Sequence, residues 1–327
     1  MASTTEGGDL LLVGAGDMSV AYAAVLNSLR IRPAVFGRGK DSARRFFEKT
    51  GLSAGTGPLA EQIGVCGSLP STAIVTVNAH ALASVTTMLA EAGVNRILVE
   101  KPAALDMAEL NALCTAVRAA GTEVYVAYNR RFMASVLLAD RLIGEDGGPS
   151  SVKFDFTEAS ARIAKLSKSR REFETWFYGN STHVLDLAFH FFGAPSSLEA
   201  TVAGQAALDW HPSGAVYAGF GRNPAGAIIC WHANWLSAGR WGVEVMTTKR
   251  KLILQPLEKL RVQLHGSFAE TEMETDDEVD RAFKPGLLRQ VRAFLYGEDR
   301  SRLQTLDDHA NFARYYELIR TGGRLGA

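Results

Sequence analysis

An apolar run that stops on Gly14-Ala15-Gly16 and passes straight into helix-forming sequence leaves a chain few ways to fold. The run covers residues 9–13 (DLLLV), and helical sequence follows over about 18–29. A strand that turns on two glycines into a helix opens a βαβ unit. Gly14 permits the tight turn, and Gly16 keeps a Cβ out of the path of anything approaching the backbone. Ser19 holds the third position of the G-x-G-x-x-G spacing, where a small residue lets helix and strand pack closely.

The alternation continues. Strands are expected at 33–36, 73–77, 96–99 and 123–127, with helices near 41–50, 81–92 and 107–120 that stop at Gly51, Gly93 and Gly121. Strands separated by helices predict an α/β doubly wound parallel sheet over residues 1–127. From about residue 133 the pattern changes to strands in succession, at 151–156, 199–202, 215–220, 227–235, 241–247 and 251–255. One helix is expected at 181–192. These predict a second, α+β domain over 128–327 with a large, mostly antiparallel sheet. The acidic stretch 271–280 reads as a solvated loop. Helices near 286–296 and 306–320 close the chain, the second with a capping box at Thr305 and Asp308 and free to pack back on the first domain.

Composition sets limits. At 327 residues the chain is long for one hydrophobic core, which agrees with two domains. Lys plus Arg equals Asp plus Glu at 35 each, so charge gives no reason to expect a nucleic-acid or membrane partner. The three cysteines, Cys66, Cys114 and Cys230, form no CxxC pair and point to a reduced, cytoplasmic setting. No run is long enough for a membrane span. The first nine residues read as a short disordered tail without a signal-peptide pattern.

The helix amino end after Gly16 suits a pyrophosphate, through its free amides and positive dipole end. The expected dinucleotide set is Gly14, Gly16, Asp17 and Met18 on this turn, with Val77, Asn78, Glu100 and Lys101 at the ends of neighbouring strands. The second strand runs into Gly37-Arg38-Gly39-Lys40, where an NAD site usually carries a carboxylate for the ribose. Arg38, Lys40 and Ser42 suit a 2′-phosphate instead, so NADP(H) is favoured over NAD(H). Asp41 is left as either a ribose contact or a helix cap.

Three further blocks follow in order: Glu100-Lys101-Pro102 at a strand end, Tyr128-Asn129-Arg130-Arg131-Phe132, and Asn180-Ser181-Thr182-His183-Val184-Leu185-Asp186. Behind the glycine fingerprint they resemble the Gfo/Idh/MocA oxidoreductase family, which includes glucose–fructose oxidoreductase and inositol dehydrogenase. The resemblance covers nearly the whole chain. It implies a Rossmann domain followed by a substrate-binding and oligomerisation domain, and hydride transfer at a hydroxyl or keto carbon of a sugar, sugar derivative or polyol. An anionic or nucleotide-linked substrate falls within that range. It also implies homodimers or homotetramers formed through the second sheet.

Lys101, at the carboxyl end of a strand, is placed to stabilise a developing alkoxide. The resemblance gives His183 the general acid/base role, and a helix amino end keeps that imidazole neutral. Arg131, Trp176, Asn180, His183 and Asp186 are the expected substrate contacts. Five bases over 162–171 (Arg162, Lys165, Lys168, Arg170 and Arg171) make either a substrate-facing basic loop or a solvated one. Trp231, Trp235 and Trp241 suit a sugar ring and a sheet core equally. His183, Asp186 and His190 share a helical face, which raises a metal site; hydrogen-bonded polar groups on a buried helix are the commoner explanation, and no metal is expected. Polyol-oxidising relatives usually carry an aspartate four residues before this histidine, where this chain has Gly179. That departure leaves open a dinucleotide-binding regulator without turnover.

Overall fold

Leu10–Val13 buries all four of its side chains, the signature of a strand covered on both faces. It is β1 of a computed structural model that describes residues 10–326. The expected N-terminal tail, and the start of the first strand at Asp9, lie outside those residues. The chain divides into two compact units. One runs to Tyr128 and takes in Ala282–Ala310, and the other comprises Asn129–Arg281 and the chain from Asn311 onward. The first crossing falls at 128/129, and residues 282–310, which include the start of the last helix, group with the first unit.

In the first unit β1 leads through α1 (Asp17–Ser28), β2 (Ala34–Phe36), α2 (Lys40–Thr50) and α3 (Leu59–Val65) to β3 (Thr72–Val75). Then follow α4 (Leu82–Glu91), β4 (Arg96–Glu100), α5 (Met107–Ala120) and β5 (Glu123–Ala127). The helix stops are glycine-driven: Gly51 and Gly121 hold φ of 70° and 69°, which an L side chain rarely adopts. Asp106 caps α5, accepting from the Glu109 amide at 2.8 Å. The described strands form a six-stranded sheet in the order β14-β5-β4-β3-β1-β2, parallel from β5 to β2. Its antiparallel edge is β14 (Gln304–Thr305), which pairs with β5. The chain returns across β1 between β2 and β3, so the strand order switches there.

The second unit begins with α6 (Ala134–Glu145), a helix the sequence reading missed, and continues through β6 (Ser151–Phe156), α7 (Ser160–Ile163), α8 (Arg170–Glu174) and α9 (Thr182–Phe192). Strands β7 (Ser197–Ala203), β8 (Val216–Arg222), β9 (Ile228–Asn234), β10 (Trp241–Met246), β11 (Arg250–Leu254), β12 (Arg261–Leu264) and β13 (Glu270–Glu272) follow, then α10 (Glu278–Ala282). After α11 (Leu287–Tyr296) and α12 (Leu306–Thr321), β15 (Gly323–Leu325) pairs with β7. The nine-stranded sheet runs β13-β12-β11-β10-β6-β9-β8-β7-β15, antiparallel except for β6 beside β9. Helix α9 lies on β6 and β10, with Phe189 edge-on to Phe154. Each large apolar side chain buried here contributes roughly 1.5–3 kcal/mol.

Two expected loops gain structure. The acidic stretch 271–280 carries part of β13 and the start of α10, and Asp280 accepts the Ala134 amide at 2.7 Å, at the amino end of α6. The basic stretch 162–171 enters α8, where Ser169 and Glu172 form a capping box and Lys168 and Arg170 pair with Glu172 and Glu174. Two of those five bases are thus paired locally. Trp231 and Trp235 are core residues: Trp231 stacks on Phe154, and the Trp235 indole donates to the Phe156 carbonyl at 3.1 Å.

Candidate functional site

In the first unit the carboxyl ends of β1, β3 and β4 lie side by side, because the three strands are parallel neighbours. Gly14 holds φ of 129° and has no room for a side chain, since a Cβ there would stand 2.6 Å from Thr76 Oγ1 and 2.9 Å from Ser19 Oγ. Its amide donates to the Phe36 carbonyl at 2.7 Å, tying the turn to β2. Gly16 is the opposite case: a Cβ would meet nothing within 4 Å, so the glycine leaves open space at the amino end of α1. The first amides of a helix lack partners within it, so this open cradle fits the phosphates of a dinucleotide.

Ser19 does more than stay small. It is fully buried, its Oγ accepts from the Gly16 amide at 3.1 Å, and it lies 2.8 Å from Thr76 Oγ1, which donates to the Val13 carbonyl at 3.1 Å. The chain β1–Ser19–Thr76 thus fixes the glycine turn against the end of β3, and Thr76 was not singled out from the sequence. Val77 and Asn78 follow directly, Asn78 starting a single 3-10 turn. Asp17 pairs with Lys49 at 3.0 Å, and the Met18 sulfur lies 2.8 Å from Lys284 Nζ. Arg38 and Lys40 are exposed beyond β2, with Gly39 rather than Asp41 at the amino cap of α2. Ser42 Oγ donates to the Gly39 carbonyl at 2.8 Å.

At the end of β4 the Lys101–Pro102 peptide is cis and Ala103 is left-handed, at φ 66°. The turn is braced from two sides. Tyr22 of α1 donates to Glu100 Oε1 at 2.9 Å, and His309 of α12 lies 3.0 Å from the Pro102 carbonyl and 5.6 Å, ring to ring, from Tyr128. Burial holds the Glu100 carboxyl above its ordinary value, against the pull of Lys101 and Lys284. Burial raises the Tyr22 hydroxyl too, with Glu100 adding to it.

A raised folded-state value means that Glu100 stabilises the fold fully below its ordinary value of 4.5 and loses that contribution as pH rises through the folded value. Glu100→Gln removes the titration. The variant's urea midpoint is therefore expected to fall less steeply than the wild type's from pH 4.5 upward. Parallel curves for the two proteins would refute this.

In the second unit the sequence-predicted residues split into two groups. Arg131 and Asp186 are both buried and occupied with each other: Nε donates to Oδ2 at 2.8 Å and Nη2 to Oδ1 at 2.6 Å. This fork joins the 3-10 turn Asn129–Phe132 to α9, and it ties up two side chains expected to touch substrate. His190 meets Asp140 at 2.9 Å, so His183, Asp186 and His190 do not converge. No group of three or more metal-ligating side chains occurs among the described residues.

His183, in the first turn of α9, lies 6.2 Å from the Trp241 ring. Arg130, the arginine not chosen from the sequence, covers the same Trp241 at 5.1 Å and pairs with Glu258 at 3.6 Å. Burial lowers the Arg130 guanidinium, while Glu258 and Glu158 pull it back up. Ahead of α9, Phe177–Ser181 forms a π-helical turn, a feature frequent at functional sites. Asn180 and Ser181 on that turn both donate to Glu158, a buried carboxyl that the sequence did not flag. At Gly179 a Cβ would meet nothing within 4 Å. Trp176, at the start of that turn, packs with Phe173 and Trp210.

Residues 9–128 match the profile of an oxidoreductase family with an NAD-binding Rossmann fold, Gfo/Idh/MocA. No curated protein sequence matches significantly. Among solved structures, an oxidoreductase from Agrobacterium radiobacter in complex with NAD+, L-tartaric acid and magnesium is similar at 14% identity over 98% of both chains, with a TM-score of 0.77. Levoglucosan dehydrogenase in complex with NADH and L-sorbose is similar at 18% identity over 96% of both, with a TM-score of 0.76. The WlbA dehydrogenase from Chromobacterium violaceum in complex with NADH and UDP-GlcNAcA is similar at 17% identity over 99% of this chain and 97% of that one, with a TM-score of 0.73. At such identities the likeness is one of fold. No described helix is long and apolar enough to cross a membrane.

Proposed function

We propose, from the premise that residues 9–128 belong to the Gfo/Idh/MocA oxidoreductase family, that the chain is a nicotinamide-dependent oxidoreductase acting on a hydroxyl or keto carbon of a sugar, sugar derivative or polyol. The observation that carries this reading is the pairing of an open Gly16 cradle after β1 with a braced lysine turn after β4, at the same edge of one sheet with β3 between them. Gly14, Gly16, Asp17 and Met18 would hold the pyrophosphate, with Val77, Asn78 and Glu100 around the rest of the dinucleotide. That cofactor, when bound, supplies a nicotinamide carbon that takes or gives hydride.

The protein's part is orientation and proton handling. Lys101 stabilises negative charge on the reacting oxygen, and His183 takes or returns its proton. Asn180 and Trp176 contact substrate. Arg131 and Asp186 instead hold α9, and with it His183, in place through their buried fork. Nucleotide-linked and anionic sugars lie within the same reading. Phe220 and Ile228 stand exposed on the nine-stranded sheet, which favours self-association through that sheet.

The cofactor is NADP(H) in this reading, because Arg38 and Lys40 follow β2 where a ribose carboxylate is lacking. Arg38→Ala is expected to weaken NADPH binding by roughly 10- to 100-fold, the worth of a charged hydrogen-bonding partner, and to leave NADH binding unchanged. Titration of nicotinamide fluorescence checks both. If neither dinucleotide binds the wild type, the functional reading fails. Equal weakening of both would remove only the NADP(H) preference.

A further inference from the structure

Glu158 is a buried carboxyl outside every motif in the sequence, and its contacts are specific. Asn180 Nδ2 lies 3.0 Å from each of its oxygens, and Ser181 Oγ donates to Oε1 at 2.7 Å. Arg130 senses its charge. Both donors sit on the π-helical turn that runs into α9, two and three residues ahead of His183.

The chemistry fixes which way Asn180 faces. A carboxylate only accepts hydrogen bonds, so the amino end of the carboxamide has to face Glu158, and its carbonyl end has to face away. A glutamine at position 158 would keep its oxygen on Ser181 Oγ and turn its amide donor towards Asn180, drawing the Asn180 carbonyl inward. Beside Asn180, position 179 has open space and no side chain. Ser181 and Thr182 are committed to Glu158 and to the Tyr178 carbonyl, so the direction of the Asn180 amide decides what this stretch offers a ligand.

We propose that Glu158 is a positioning residue that locks Asn180 with its Oδ1 outward, making position 180 an obligate acceptor for a hydroxyl group of the substrate. This rests on the reading of Asn180 and His183 as substrate-facing. It goes further in assigning polarity: the subsite takes a ring or chain O–H and rejects a keto or ether oxygen at the same place. Asn180 is half-buried, and a bound substrate would cover the rest of it, so the wrong partner would leave its carbonyl unpaired.

The test uses the full-length protein and two sugars carrying free hydroxyls, levoglucosan and UDP-N-acetylglucosamine. In Glu158→Gln the affinity for whichever sugar binds the wild type is expected to fall about tenfold, one hydrogen bond's worth. The dissociation constant for the nicotinamide cofactor and the melting temperature should stay close to the wild type's. The swap variant Glu158→Gln/Asn180→Asp keeps the pair but again turns an acceptor outward, and it should recover the affinity. A turn that Glu158 merely staples would lose melting temperature in the single variant without a selective loss of sugar affinity. Unchanged affinity in Glu158→Gln, or a loss that the swap does not repair, overturns the proposal.

Should neither sugar bind the wild type, these two are not its substrates, and the amide lock is decided by NMR of the Asn180 side chain. Its Nδ2 protons are expected downfield of a free asparagine's and moved back in Glu158→Gln. Signals identical in the two proteins would refute the lock.

Discussion

Lys101→Met is expected to lower kcat by roughly 100- to 1,000-fold, the cost of removing a donor aimed at developing oxyanion charge. Cofactor binding should weaken only by the one contact Lys101 makes, because the phosphate cradle is built by Gly14, Gly16, Ser19 and Thr76. The turn itself should also survive. It is held by the Tyr22–Glu100 bond and by His309 against the Pro102 carbonyl, and none of these uses the Lys101 side chain. Methionine keeps the length and apolar stem of lysine and removes only the charged donor. The measurement is nicotinamide absorbance under turnover, with dinucleotide titration of the same protein as the control. A variant that binds cofactor and turns over at the wild-type rate would remove Lys101 from the chemistry. Joint loss of binding and turnover would make it a structural residue of the turn.

What the sequence disclosed follows the range over which each feature is determined. Gly14 and Gly16 were legible because the need for them is local: a positive φ at one and an open side at the other, a few residues from the strand they terminate. The parallel sheet was legible for a related reason, since each βα unit carries its own punctuation in Gly51 or Gly121. Ser19 was half read. Its size was clear, but its bond to Thr76 spans 57 residues and has no sequence signal.

The second unit was harder because its site is assembled from distant segments. Glu158 lies in an unremarkable Thr-Glu-Ala stretch, and its importance arises only when the turn at Asn180 folds over it. Two adjacent arginines offered no basis for choosing between them. The fold sends Arg131 to Asp186, 55 residues away, and Arg130 to Trp241 and Glu258. Helix α6, in contrast, did carry a usable signal. Its sequence SVLLADRLI buries Val136, Ala139, Leu142 and Ile143 at helical spacing, a periodicity that the change of texture near residue 133 obscured. The acidic stretch 271–280 misled because charge marks exposure, and an exposed edge strand such as β13 reads much like a loop.

The Arg131–Asp186 fork supplies the second large effect, and it is expected in stability. Asp186 is almost wholly enclosed and Arg131 nearly so, so deleting one partner leaves a charge in a place where water cannot reach it. Asp186→Ala is expected to cost roughly 3–5 kcal/mol. For a domain of this size that corresponds to a fall in melting temperature of roughly 6–20 °C. The double variant Arg131→Met/Asp186→Leu removes both charges and fills the space with apolar atoms, so it should melt well above the single variant. The order of the two distinguishes a buried ion pair from simple packing loss, in which the double substitution would be the worse. The fork also joins the Asn129–Phe132 turn to α9, three residues after His183, so the helix that carries the proposed acid/base is the element it secures. Asp186→Ala should therefore lose turnover at temperatures below its own melting transition, while its NADPH affinity, set in the first unit, stays at the wild-type value. Thermal melts of both variants beside the wild type check the stability order, and an Asp186→Ala melt that overlays the wild type's would show that the fork carries no net stability.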